Sequence, residues 1–223
     1  KDTIDAFSQF DQREAAKTRR DFAQTAETHS AVPWDKVREL YDDAISHAED
    51  IDVELQAEFT YNLARAATKN RSVPTTVADR LYDRAVGMLE GTNERAAAEA
   101  RRQHASATDY DTDWSTTRNR YEAAIELAAD VDPELVADIR EEMARNARWE
   151  ESIPWTEVRT LFNEAIEAYE PVDRRAAVRL RGRLADAAAE RAGWEAGRTQ
   201  FEDAIKAAEG FTKRTAAKLA ADL

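Results

Sequence analysis

The amino-acid sequence predicts an all-α protein, an α-α superhelix (α-solenoid) of about five helix-pair repeats, each 39–41 residues long. Two observations carry this prediction. The chain has 44 alanines but only 6 glycines and 5 prolines, so few residues oppose helix formation. Apolar residues recur at spacings of three and four, and the same columns return about every 40 residues. No segment reads as a β-strand.

Each repeat is anchored by the residue that starts its first helix. An aromatic residue follows seven positions after each anchor, with an alanine at plus ten and a β-branched residue at plus eleven. Three of the anchors come directly after a proline, which suits the start of a helix. We expect the four tryptophan rings in this column to occupy equivalent places. The anchors are Trp34, Thr75, Trp114, Trp155 and Trp194.

A second set of columns, at plus 25, 29 and 30 from the anchor, predicts a second helix in each repeat. The first helix is expected to run from the anchor to plus 16, and the second from about plus 19 to plus 33. Residues 14–29 resemble the second helix of an incomplete leading repeat. We therefore predict one helical-repeat domain over residues 1–223. Its parts are a partial leading repeat at 1–33 and repeats at 34–74, 75–113, 114–154, 155–193 and 194–223.

Composition excludes several classes of protein. The absence of cysteine rules out disulfides, thiol nucleophiles and Cys-ligated metals, and no apolar run approaches the roughly 18–20 residues that span a bilayer. The net charge is -13, and arginine outnumbers lysine 25 to 7. This acidic balance resembles that of proteins from salt-loving cytoplasms and argues against binding to nucleic acid phosphates. We predict a soluble, cytoplasmic, halophilic protein that binds neither membranes nor nucleic acid directly.

The chain begins at Lys1 without a methionine and ends within an apolar-periodic stretch. We therefore expect it to be a fragment of a longer protein.

Residues that carry catalytic chemistry are scarce. The only imidazoles are His29, His47 and His104, and the last stands in an apolar column, which predicts a packed structural residue. No glycine-rich phosphate loop is present. The acidic run at 109–113 begins like a calcium loop, but Trp114 and Arg120 stand where glycine and glutamate are needed. The sequence thus predicts no enzyme, no catalytic residue, no cofactor and no metal site.

Several stretches resemble the tetratricopeptide repeat (TPR) family. Tyr121-Glu-Ala-Ala-Ile125 and Phe162-Asn-Glu-Ala-Ile166 are similar to its second helix, and Tyr61-Asn-Leu-Ala64 is similar to its first helix. The segments beginning at Val37 and Val158 also resemble the half-a-TPR variants of RNA-processing assemblies. The period of about 40 residues departs from the 34 of the family. This resemblance implies a superhelical array without chemistry of its own.

In TPR arrays the helices that correspond to the second helices here line a concave groove, so the resemblance implies a binding groove on that face. Formal charges of the second helices total +2, whereas those of the first helices total -11. Arginines beside aromatic and amide side chains suit an acidic peptide or a C-terminal carboxylate. An alternative is that these arginines pair with acids on the same helices, such as Glu99, Asp138 and Asp186. The groove residues are Tyr61, Asn62, Arg65, Arg102, Arg145, Arg148, Trp149, Arg179 and Arg183.

The function predicted first is a non-catalytic protein interaction scaffold that holds a partner peptide or subunit in this groove. The alternative is a regulatory or sensory repeat domain of a larger enzyme or transcription regulator. A weaker alternative, which follows from the half-a-TPR resemblance, is an RNA-processing scaffold.

Overall fold

The computed structural model describes residues 11–107 and 112–221, with side chains described as far as residue 210. Contacts between Cα atoms divide the chain into two compact units, residues 1–112 and 113–223. The described residues form ten α-helices and no β-strand, which confirms the predicted all-α class of consecutively packed helices.

The first unit contains five helices, each packed against the next along the chain. They begin with α1, which lies in the segment predicted as a partial leading repeat. Two helix pairs follow it. The helices are α1 (Gln12–Glu27), α2 (Trp34–Glu49), α3 (Val53–Lys69), α4 (Thr75–Leu89) and α5 (Glu94–Ser106).

The second unit also contains five helices that pack in sequence order. The helices are α6 (Trp114–Ala128), α7 (Pro133–Trp149), α8 (Trp155–Val172), α9 (Arg174–Ala192) and α10 (Trp194–Ala221). In both units the first helix of every repeat begins at its predicted anchor.

The core follows the predicted columns. The aromatic residues at plus seven in the first four repeats are at most 1% exposed, and the alanines at plus ten beside them are fully buried. Small alanine side chains let neighbouring helices approach closely enough to enclose the aromatic rings. Hydrogen bonds hold tyrosines of this column: the Tyr41 hydroxyl donates to Glu27 at 3.0 Å, and Asn146 Nδ2 donates to the Tyr121 hydroxyl at 2.6 Å.

In α1, α3, α5, α7 and α9 the start of the helix is set by a polar side chain outside the apolar columns. The residue 18 positions after the anchor accepts hydrogen bonds from backbone N–H groups of the first turn, which otherwise lack partners. Asp11 does the same for α1. The other four N-caps are Asp52, Asn93, Asp132 and Asp173.

Side-chain bonds join second helices of consecutive repeats within each unit. In the first unit, Arg13 reaches Asp52 at 2.5 Å and Lys69 reaches Glu27 at 3.1 Å. In the second unit, Arg148 reaches Glu190 at 2.6 Å. The partners are 39–42 residues apart in sequence, which is one repeat. We call these bonds the inter-repeat ladder.

The last repeat differs from its prediction. A separate second helix was expected from about residue 213, but α10 continues from Trp194 to Ala221. The N-cap column holds Thr212 in this repeat, and threonine is a weaker cap than the aspartate or asparagine of the others. Gly210 alone does not end the helix, because one glycine costs only about 1 kcal/mol in a helix interior.

The tryptophan column is also less regular than expected. Trp34, Trp114 and Trp155 are half-buried, but Trp194 is 65% exposed. Trp34 packs against a cluster in α3 and α4 that includes Ala64 and Tyr82. Within the described part of the chain no helix after α10 lies over Trp194 in the same way. The expectation of equivalent surroundings was therefore wrong for Trp194.

Candidate functional site

The predicted groove residues of the first unit lie on α3 and α5. Tyr61 is half-buried, with its ring edge-on to Tyr82 at 5.8 Å between centroids. Burial raises the pKa of the Tyr61 hydroxyl, and nearby Glu99 adds to this effect. Tyr61 therefore stays protonated and neutral at physiological pH.

Asn62 does not lie on an open surface. It is 6% exposed and shares a helical face with buried Phe59 and Ala66, three positions before it and four after it. The side chain is therefore enclosed in the packing of α3 and is not presented to a ligand.

The two arginines predicted in the first unit have different surroundings. Arg102 donates to Glu99 at 2.7 Å on the same helix, which is the internal pairing that the alternative interpretation expected. Arg65 is half-buried, and its Nε atom is buried without a hydrogen-bond partner. This unit thus offers fewer available guanidinium groups than predicted.

In the second unit a buried carboxylate joins α7 to α9. Glu141 is 8% exposed and accepts from Arg183, while Arg179 lies 3.6 Å away. The two guanidinium groups offset the cost of burying this carboxylate. Asp138 has a different partner from the one expected, because it accepts from the Tyr169 hydroxyl at 2.5 Å. Burial and this bond raise the pKa of Tyr169.

The C-terminal end of α7 is held against α9 by two arginines. Arg148 binds Glu190, and Arg191 donates to the backbone oxygens of Arg148 at 2.6 Å and Ile153 at 2.5 Å. The Arg148 guanidinium also lies 4.9 Å from the centre of the Trp149 ring. The orientation of this end of the helix is therefore well supported.

Trp149 and Arg145 remain available on this supported helix end. Trp149 is 72% exposed, and Arg145, one turn earlier, is exposed and forms no ion pair with the described residues. Of the predicted groove residues, these two are exposed and form no hydrogen bond or ion pair with a side chain of the described residues. We call them the α7 surface pair.

The described residues contain no group of three or more metal-ligating side chains that could hold a metal ion. His104 is 4% exposed, stacks on Tyr82 at 4.5 Å between ring centroids, and has Nε2 2.9 Å from Asp79, as expected of a packed histidine. Asp109 and Asp111 of the calcium-like run lie outside the described residues. Asp113 caps α6 by accepting from the Thr116 N–H group. Among the helices described, none combines the length and apolar character needed to cross a bilayer.

Solved structures with the same arrangement of helices are TPR-like proteins. BtubC (BKLC) from P. vanneervenii superimposes with a TM-score of 0.63 at 12% identity, covering 95% of this chain and 87% of its own. The fold is a TPR-like helical repeat. Two crystal structures of a putative kinesin light chain of Podosopora anserina with nearly identical TPR-like repeats give TM-scores of 0.59 and 0.58 at 14% and 13% identity. They cover 92% and 89% of this TPR-like chain, and 99% and 97% of their own.

No family model and no curated protein matches the chain in sequence. TPR-like repeats generally serve as non-enzymatic scaffolds that bind other proteins.

Proposed function

We propose that this chain is a non-catalytic, cytoplasmic scaffold whose second helices bind a segment of a partner protein. The observation that carries the proposal is the α7 surface pair. An exposed tryptophan beside an arginine without an ion pair is unusual on a surface where most arginines pair internally, and these two residue types dominate binding energy at interfaces. The proposal includes no cofactor, no metal, no membrane and no direct contact with nucleic acid.

The segment that suits this surface is acidic or ends in a carboxylate. The Arg145 guanidinium has donors available for a carboxylate, and a charge-assisted hydrogen bond contributes about 1.5–3 kcal/mol. The Trp149 ring adds a rigid apolar area next to that bond. These two contacts supply part of the roughly 8 kcal/mol that corresponds to micromolar affinity.

Selection from a displayed library of random 12-residue peptides on the intact chain tests this proposal. We expect enriched acidic peptides, or peptides with a free C-terminus, whose binding falls at least tenfold with Arg145→Glu or Trp149→Ala. Arg159→Glu is the matched control, because Arg159 is an exposed arginine on α8, the first helix of its repeat. Equal binding of all enriched acidic peptides to the Arg145→Glu, Trp149→Ala and wild-type proteins would exclude the α7 surface pair as the site.

A further inference from the structure

A cleft of about 410 Å³ lies in the first unit, away from the α7 surface pair. Side chains of α3 and α5 line most of it. Its floor is apolar and includes Leu55, Leu89 and Ala100, and Tyr61 forms part of its wall. The volume falls in the lower part of the range for ligand-binding pockets.

The cleft arises from two shortened side chains in the second repeat. Ala96 stands at plus 21, where the first and third repeats carry leucine. Ala100 stands at plus 25, where the first, third and fourth repeats carry Phe59, Ile139 and Leu180, each fully buried. The fourth repeat also has alanine at plus 21, but Leu180 retains its bulk at plus 25. Only the second of these four repeats shortens both positions, one turn apart on the same face of its helix.

The rim of the cleft carries an excess of negative charge. Three carboxylates line it together with one guanidinium, that of Arg13, which is bound to Asp52. Glu58 accepts from Arg20, and Glu99 accepts from Arg102. Glu54 accepts a hydrogen bond from the Asn93 amide at 3.0 Å and has no cationic partner in the described part of the chain. A carboxylate has room for further donors, so Glu54 is available to a cationic group.

We propose that this cleft binds an apolar side chain of a partner peptide that has a lysine or arginine beside it. The inference rests on the proposed function, since it takes peptide binding as given and assigns a second subsite with the opposite charge preference. The alanine floor admits a side chain the size of leucine, as the buried residues in the equivalent columns show. The neighbouring cation lies between Glu54 and the Tyr61 ring, both of which attract positive charge. An acidic peptide would instead place its charge near Glu54, which has no cationic partner in the described part of the chain.

Filling the cleft tests the inference with little risk to folding. Ala100→Leu places in the second repeat the residue that the fourth repeat already buries at this position. From the same displayed 12-residue library, we expect a set of peptides that bind the wild-type protein and whose binding to the Ala100→Leu variant is at least tenfold weaker. Each should contain Leu, Ile, Met or Phe next to Lys or Arg. Ala129→Leu, at an exposed alanine of the other unit, is the control and should not change their binding.

A charge variant supplies an independent test. Glu54 is exposed, so Glu54→Lys leaves the core intact and should weaken the binding of the same peptides at least tenfold. Glu94→Lys, on the neighbouring helix, is the control and should not change their binding. If neither Ala100→Leu nor Glu54→Lys changes the binding of any enriched peptide, the inference is overturned. It is also overturned if the sensitive peptides lack a basic residue. The binding of acidic peptides to the Arg145→Glu variant is measured separately. Either proposal can therefore fail while the other stands.

Discussion

Single aspartate carboxylates at the N-terminus cap five of the ten described helices. Burial would raise the pKa of Asp52, but hydrogen bonds from the Glu54 and Leu55 N–H groups and the Arg13 charge outweigh it, so the pKa lies below its usual value. At Asp113 the Ser115 hydroxyl, followed by the Thr116 N–H and hydroxyl groups, lowers the pKa from 3.8 to about 2. The folded state therefore stabilises the ionised form of both aspartates.

Asp113 should give a measurable pH dependence. Because its folded pKa is depressed, its contribution to stability is present above about pH 4 and is lost as the pH falls through about 2. Asn keeps the accepting oxygen but does not titrate. We expect the difference in melting temperature between wild type and Asp113→Asn to change over this range, with Glu126→Gln on the same helix as control. A difference that is independent of pH between 2 and 5 would contradict the assigned pKa.

The ion-pair partners of the arginines were harder to predict than the apolar columns of the repeats. The sequence placed Arg179 and Arg183 on second helices, and it placed Glu99 within reach of Arg102 on the same helix. The sequence did not show that Glu141, on the preceding second helix, forms ion pairs with both Arg179 and Arg183. That pairing depends on how far one helix is shifted along its neighbour. Spacing of 42 residues between Arg183 and Glu141 is the signal that could have suggested it.

At the scale of elements, the contact between α9 and α10 depends on two glycines. Gly193 lies between them with φ of +93°, a conformation that other residues adopt only with strain. Gly197, in the first turn of α10, faces Ala189 of α9. A Cβ atom at Gly197 would lie 2.5 Å from the Ala189 Cβ and 2.8 Å from its Cα. The close approach of these two helices therefore requires glycine at this position.

Two identical substitutions should have opposite effects on these helices. Gly197→Ala should lower the free energy of unfolding by about 1–3 kcal/mol, because the backbone of α9 must move to accommodate it. Gly182→Ala, in the interior of α9, meets no atom within 4 Å and should raise it by about 0.5–1 kcal/mol through helix propensity. Urea unfolding curves measure both. Stabilisation by Gly197→Ala would show that the close contact is absent in solution.

Element boundaries were predictable wherever local chemistry repeats. All five first helices begin at their anchors, three of them directly after Pro33, Pro74 and Pro154. The last repeat could not be predicted in the same way, because apolar spacing continues through residue 210 and only the weak cap at Thr212 distinguishes a break from a continuous helix. Column periodicity shows which face is buried, whereas capping decides where a helix stops.

On the scale of the whole molecule, the dominant property is the acidic surface. The net charge of -13 is concentrated in the first helices, which together carry -11. Arginines of the second helices are largely neutralised by the ion pairs described above. Repulsion among the first helices is therefore a general destabilising contribution at low ionic strength.

Added salt should stabilise the fold. The screening length falls from about 30 Å at 0.01 M to about 3 Å at 1 M, so repulsion among first helices decreases over this range. We expect the melting temperature to rise as KCl is added up to 1 M and beyond, as the prediction of a halophilic origin requires. Thermal melts followed by circular dichroism measure this, with sucrose at matched osmolality as control. A melting temperature independent of KCl would argue against that origin.

The inter-repeat ladder has a consequence for how such chains change in length. Each bond of the inter-repeat ladder joins a residue to a partner about 40 positions away, which is the length of one repeat. Duplication or loss of a complete repeat leaves this spacing between partners unchanged. Insertion of a few residues inside a helix rotates all later side chains away from their partners and exposes the buried columns. Relatives of this chain are therefore expected to differ in length by whole repeats, with smaller insertions confined to the links between helices.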